Sequence, residues 1–345
     1  CYKKLSMSKK NSSVNLKNSL KDLEDLSTIF LNFKKKLNII NRKNYLIAVS
    51  GGPDSLALVA LTQSYKYTKK VNFHYVLVDH NIRKNSHYEA KKVKEILKRK
   101  KIRLKVLVNR KIIKKNIQAE ARDTRYKLLT DYCKKNKIRI LLTAHNLEDQ
   151  VETFLIRLSR GSGLKGLSSM NSLSILDNRV SLYRPLLDVK KEYLIKISKS
   201  FFGKYIKDPS NKDVKYLRTK IRNLKKPLEK SGIKYEQIFK SIQNLSSSKL
   251  TLDEYLTKIF KELIKKNRNE ILINFFKYKK LTNDIKIALI NKSIKSLKNN
   301  YYDLRSKKVE NLIKIINKKN FKKATLGGCI FSKKGDKLCL EVENL

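Results

Sequence analysis

Between residues 45 and 160, four short apolar runs alternate with four helical patterns, and this alternation limits the possible folds more than any other feature. The runs span 45–50, 71–79, 104–108 and 138–144; the helical patterns span 54–66, 87–101, 117–136 and 146–160. Such an order predicts an α/β fold, a parallel sheet with helices on both faces. A further helix is predicted over 23–41, where Leu23, Leu26, Phe30, Phe33 and Leu37 share one side. Beyond about residue 210 the texture changes. Residues 213–320 read as lysine-rich helices with no clear strand, and 326–343 as a hairpin around Lys333-Lys334-Gly335-Asp336-Lys337. The expected organisation is a basic tail without order over 1–22, the α/β domain over 23–205, a helical domain over 206–320 and a small C-terminal hairpin over 321–345.

In an open parallel sheet, ligands bind beyond the carboxyl ends of the strands. The first run is followed by Ser50-Gly51-Gly52-Pro53-Asp54-Ser55, the second by Asp79-His80-Asn81 and the fourth by His145-Asn146-Leu147-Glu148-Asp149-Gln150. The two glycines allow a sharp turn and close approach of backbone to ligand. Pro53 suits the first turn of the next helix, whose N–H groups, with those of the turn, form an anion cradle. Ser50 and Ser55 add hydroxyl donors. Asp54 would repel phosphate by itself, and makes sense if it holds Mg²⁺ or a substrate ammonium. Gly161–Gly166 matches GxGxxG but follows a helix, so it reads as a helix stop and flexible loop with Arg160 and Lys165 available to phosphates. In the fourth helical pattern, Val151, Phe154, Leu155 and Leu158 form a core stripe. Asp149 and Glu152, three apart, share a neighbouring face at the strand end, with His145 four residues before Asp149.

Lys+Arg number 81 against 30 Asp+Glu, a net charge of +51. Coding from an A/T-rich genome accounts for part of the lysine, but such a surface attracts polyanions whatever its origin. Nucleic acid is the leading partner class. Cys1, Cys133, Cys329 and Cys339 form no CxxC pair, and with four histidines no zinc cluster is visible. A reducing compartment is expected. No apolar run reaches membrane-spanning length, so no membrane partner is expected. A homodimer is admitted.

Ser50–Ser55, "VDHNIR" (78–83), "QAEARDTRY" (118–126), "TAHNLEDQVETFLIRLSRGSGLKGL" (143–167), "RPLL" (184–187) and "DPSNKD" (208–213) occur in this order. SGGxDS resembles the PP-loop signature of ATP pyrophosphatases. The whole set resembles the tRNA(Ile)-lysidine synthetase family, over 45 to roughly 222. Asn146 and Glu148 stand where the family usually has a second His and a second Asp. Arg218-Thr219 stands where it often has Arg-Asn, with Arg222-Asn223 following.

The resemblance implies a PP-loop, adenine-nucleotide alpha-hydrolase-like domain and a tRNA-binding C-terminal part. It implies ligation of free L-lysine to C2 of the wobble cytidine of a CAU-anticodon tRNA(Ile), using ATP and Mg²⁺ and releasing AMP and pyrophosphate. Ser50, Gly51, Gly52, Pro53 and Ser55 would hold the phosphates, and Asp54 the metal or the reacting groups. Asp149 and Glu152 would bind lysine, one of them taking its proton. His145 would contact nucleotide or orient Asp149. Asp79 and His80 would line the adenosine side. Arg122 and Arg125 would neutralise phosphate, and Arg160, Arg218 and Arg222 would meet the tRNA backbone. Bacterial cytoplasm is implied, with plastid stroma as the alternative setting. Two rival readings stay open: another PP-loop tRNA enzyme such as a thiolase, which needs a reactive cysteine, and a non-catalytic RNA-binding protein, against which the carboxylates argue.

Overall fold

The computed structural model describes residues 24–81, 85–110, 117–206, 217–298, 304 and 306–343. The expected disordered tail, Ile82 and Arg83 of the second quoted stretch, and all of 208–213 lie outside them. The chain forms two compact units, Cys1–Leu245 and Ser246–Leu345.

The first unit opens with helix α1 (24–40). Then β1 (Asn44–Val49), α2 (Pro53–Lys66), β2 (Asn72–Asp79), α3 (Ser86–Lys98), β3 (Leu104–Val108), α4 (Ile117–Lys135), β4 (Ile140–Leu142) and α5 (Leu147–Leu158) follow in the expected alternation. After them come α6 (Leu164–Leu167), β5 (Leu173–Asp177), β6 (Val180–Tyr183), α7 (Lys191–Phe202), α8 (Leu217–Asn223), α9 (Lys225–Lys230) and α10 (Tyr235–Leu263), which runs on into the second unit.

Six strands form one sheet in the order β3-β2-β1-β4-β6-β5, parallel throughout except for the β5–β6 pair. The period-2 alternation of strands sends neighbouring side chains to opposite faces. Tyr45, Ile47 and Val49 pack with α1, α2, α3 and α7. Leu46 faces the other way, with Leu129 and Cys133 of α4 and Leu182 of β6. Cys133 is a core residue, as read from its helical pattern. Burying a leucine such as Leu46 stabilises the fold by about 2 kcal/mol. The register sets Ile47 beside Leu142, Leu142 beside Tyr183 and Val49 beside Leu77, so the carboxyl ends of β2, β1, β4 and β6 stand side by side.

The fourth run, expected over 138–144, is strand only at Ile140–Leu142; Thr143 to Asn146 leave it to become the approach to α5. The loop expected after α5 is a helix stop, with Gly161 at φ 65°, but it is tied down. Arg157 Nη1 donates to Gly166 O and Ser169 O, and the Gln150 amide exchanges hydrogen bonds with the Met170 backbone.

The second unit corrects the all-helical reading of 213–320. It holds β7 (Ile264–Lys266), β8 (Glu270–Asn274), α11 (Phe275–Lys279), α12 (Asn283–Leu297), α13 (Ser306–Ile316), β9 (Lys323–Leu326), β10 (Cys329–Lys334) and β11 (Lys337–Val342). The expected hairpin is β10–β11, embedded in an antiparallel sheet of order β7-β8-β11-β10-β9. Ile271, Ile273, Phe331 and Leu340 meet Leu289 and Ile290 of α12 and Val309 of α13 in its core. Among the described residues no helix is long and apolar enough to cross a membrane.

Candidate active site

The turn after β1 explains its own glycine. Gly51 has φ 83°, and a β-carbon there would run into the Val93 side chain of α3. Its carbonyl accepts the N–H of Ile206 at 2.9 Å. Ser55 braces the turn from inside. Its hydroxyl accepts from the N–H groups of Ser50 at 3.2 Å and Gly51 at 3.1 Å, and donates to Gly52 O at 3.0 Å. This corrects the expectation that Ser55 offers its hydroxyl outward to a ligand; only 4% of the residue is exposed. Ser50 is exposed at the tip. Pro53 starts α2, and Gly52 gives it no side-chain cap, so the helix keeps unsatisfied N–H groups and a positive dipole end at the turn.

The second component is the start of α5. Asn146 caps it: Asn146 Oδ1 accepts from Asp149 N at 2.9 Å, and Asp149 Oδ2 accepts from Asn146 N at 3.2 Å. The departure at 146 therefore has a use, a reciprocal capping box. Asp149 Oδ1 is left to accept from Arg218 Nη2 at 2.8 Å. Glu152 is 2% exposed. It accepts from Arg218 Nε and Arg222 Nε, each at 2.7 Å. A carboxylate this deep needs such partners, because desolvating it alone costs several kcal/mol, order of magnitude. Arg218 and Arg222, expected on a tRNA backbone, thus face these acids. Glu148 accepts from the Lys191 N–H at 2.9 Å and Lys225 Nζ at 3.2 Å, fixing α5 to α7 and α9.

Asp54 joins the two components. Burial pushes its carboxyl up to about 6; Lys191 draws it down, and the charges of Asp149 and Glu148 push it up again. Asp54 Oδ1 is buried without a hydrogen-bond partner among the described residues, and Oδ2 lies 4.0 Å from Lys191 Nζ. The hydrogen bond to Glu152 holds the charge on Arg222, opposed by burial, and Asp149 and Asp54 reinforce it. The charges of acids from both α2 and α5 therefore act on one cation. Sequence reading missed Lys191, which one more lysine in a lysine-rich chain does not announce. It missed the arginine–acid pairing as well, which joins residues 66 to 70 positions apart.

The remaining candidates divide. His145 Nδ1 lies 2.9 Å from Thr143 Oγ1. Burial, then Arg184, Arg218, Arg122 and Arg125, lower its pKa to about 3, so the imidazole is neutral. Asp79 is buried at the end of β2, accepting from Asn81 N at 3.0 Å. Burial, then Arg125, lowers the pKa of His80, while Asp79 opposes the shift. Arg122 and Arg125 flank the Tyr126 ring, at 5.1 and 5.5 Å from its centroid. Arg160 is exposed beyond the end of α5, away from the capping box at its start.

Residues 25–228 match the family described as a PP-loop domain, so this is an ATP-binding domain. The chain is 34% identical over 313 residues to the tRNA(Ile)-lysidine synthase of Wolbachia pipientis wMel, spanning 88% of this chain and 72% of that one. It is 33% identical over 321 residues to the tRNA(Ile)-lysidine synthase of Wolbachia sp. subsp. Brugia malayi (strain TRS), spanning 92% and 74%. Among solved structures, it is similar to a U34-tRNA thiolase from Methanococcus maripaludis with its 4Fe-4S cluster. That likeness has a TM-score of 0.54 at 19% identity and covers 64% of this chain and 78% of that one. At that identity it speaks for the fold alone.

Proposed function

Because this chain belongs to the tRNA(Ile)-lysidine synthase family, ligases that modify tRNA through an ATP-binding PP-loop domain, we propose that it joins free L-lysine to C2 of the wobble cytidine of a CAU-anticodon tRNA(Ile). Bacterial cytoplasm is the proposed setting. The observation that carries this reading is the convergence of Asp149 and Glu152, at the start of α5, on the Arg218 and Arg222 guanidiniums, with Asp54 at the start of α2 beside the glycine turn. Such a site offers an anion cradle and a cation site at one edge. ATP needs the first, and the ammonium of lysine the second.

The oxygen on C2 is a poor leaving group. It attacks the α-phosphorus of ATP, the bond to the β-phosphate oxygen breaks, and pyrophosphate leaves. The lysine ε-nitrogen then attacks C2, the C2–O bond breaks, and AMP leaves. An ammonium cannot attack, so a base must take its proton first. Asp149 Oδ1 and Glu152 fit that task. They already hold cationic N–H donors at 2.7–2.8 Å, in the positions a lysine head group would take by displacing a guanidinium. Neutral His145 cannot serve as a proton donor of imidazolium strength, but its Nε2 can orient a substrate oxygen.

Asp54 Oδ1, a hard oxygen buried without a partner among the described residues, fits Mg²⁺. Bound there, the ion would offset the charge of the phosphate tail. Sulfur transfer gains no support from Cys133, whose thiol burial pushes up to about 12.

The test is mass analysis of the wobble cytidine after incubation of tRNA(Ile) with the protein, ATP and lysine. We expect a mass gain of one lysine less one water, absent when either ATP or lysine is omitted. ATP consumption with unmodified cytidine counts against the assignment.

A further inference from the structure

Part of one face of α1 stands open, with Thr28 and Asn32 exposed along it. Beside this face, within the first unit, lies a cavity of about 320 Å³, and no residue given a role in the reaction above lines it. Its floor is Ile29 and Phe33 of α1, Leu147 at the start of α5, Leu186 and Val189 between β6 and α7, and Phe239 of α10. Phe33, Leu147, Leu186 and Val189 are buried. The rim is charged, with the acids Asp25, Asp188 and Glu236 against the lysines Lys36 and Lys190. Both lysines are taken. Lys36 Nζ donates to Asp188 Oδ1 at 2.6 Å and to Pro185 O at 2.9 Å, and Lys190 Nζ lies 2.6 Å from Glu236 Oε1. Asp25 differs. Its Oδ2 accepts from the Tyr193 hydroxyl at 2.8 Å, and among the described residues no basic group pairs with it.

A cavity of this size, with an apolar floor and a few convergent polar groups, is the ordinary form of a small-ligand site. The floor would take alkyl surface out of water. An anion would meet a rim with acid in excess and no spare lysine. A cation gains the charge of Asp25, which a neutral hydroxyl does not offset. We propose that this cavity binds a small aliphatic ammonium compound, its alkyl chain on the floor and its cation at Asp25. A polyamine and a free basic amino acid share that chemistry, and only the amino acid adds a carboxylate. The site goes beyond the reaction proposed above and does not rest on it.

The experiment is equilibrium dialysis of labelled cadaverine and of labelled L-lysine, without ATP or tRNA, against wild type, Asp25→Asn and Thr28→Trp. Far-UV circular dichroism checks the fold. We expect saturable binding to wild type that Asp25→Asn weakens at least fivefold, with Thr28→Trp, which puts bulk at the mouth, weakening it likewise. Such a loss for cadaverine alone assigns the site to polyamines, and for lysine alone to the amino acid. Loss for both leaves the ammonium as the group recognised. Lysine held by Asp149 and Glu152 is told apart by its indifference to Asp25→Asn. The proposal is overturned if neither ligand binds saturably, or if Asp25→Asn changes both affinities by less than fivefold. If Asp25→Asn does not fold, Thr28→Trp, at an exposed position, decides alone on the same criterion.

Discussion

Two sets of carboxylates share the sheet edge and are treated in opposite ways. Asp149 and Glu152 on α5 are saturated: cap, guanidinium and guanidinium take up their oxygens. Asp54 on α2, within their field, keeps one buried oxygen unpaired and a pKa raised to about 6. The paired acids are organised for a cation and filled by the protein's own arginines. Asp54, whose Oδ1 has no partner among the described residues, carries a burial cost that an incoming cation would relieve.

The largest expected effect breaks the paired side. Asp149→Asn should lower the rate of lysidine formation by roughly 10³-fold, within the range for loss of a general base. Its affinity for tRNA should stay within about twofold, since phosphate contacts dominate it. Retention of near-normal turnover would remove Asp149 from the chemistry.

Stability should then separate the two sets by sign. Glu152→Gln leaves Arg218 and Arg222 without their buried charge and should cost about 2 kcal/mol, discounted because both arginines are partly exposed. Asp54→Asn should instead stabilise the ligand-free protein, by up to about 3 kcal/mol at pH 8. The sign follows from the folded carboxyl binding its proton more tightly than the unfolded one. Wild-type stability from this group is full below pH 3.8, falls as pH rises to about 6, and is flat above. Denaturant titrations at pH 4 and pH 8 read both effects. Destabilisation by both substitutions at pH 8 would erase the contrast.

Binding should show the same contrast. Below pH 6, affinity for Mg²⁺ with ATP should rise with pH, by up to about tenfold per unit, as Asp54 gives up its proton. Calorimetry in buffers of different ionisation enthalpy should register the released proton. The smallest effect concerns His145. Its pKa of about 3 means that pH–rate profiles between 5 and 8 should lack an inflection from this ring, which NMR of the imidazole can check directly.

The first unit was more legible than the second, for physical reasons. Buried parallel strands such as Leu46-Ile47-Ala48-Val49 read as apolar runs, and Gly51 betrays its turn because φ 83° excludes side chains. β5 lies at the sheet edge with Ile175 80% exposed, so its hydropathy carries little pattern. β7 is three residues long and two of them are lysines, so it read as part of the lysine-rich helices of 213–320. The acids of the site were legible from their place after a strand. Their arginine partners were not, since nothing local connects Glu152 with Arg222. Arg184 was visible as part of a motif, but its burial was not.

Carboxyl-carbon NMR titration of Asp54 in wild type and in Asp149→Asn tests most directly whether Asp54 and Asp149 belong to one electrostatic cluster. The expected result is an Asp54 pKa near 6 in wild type that falls when the neighbouring charge is removed. An Asp54 titration that is identical in the two proteins would contradict it.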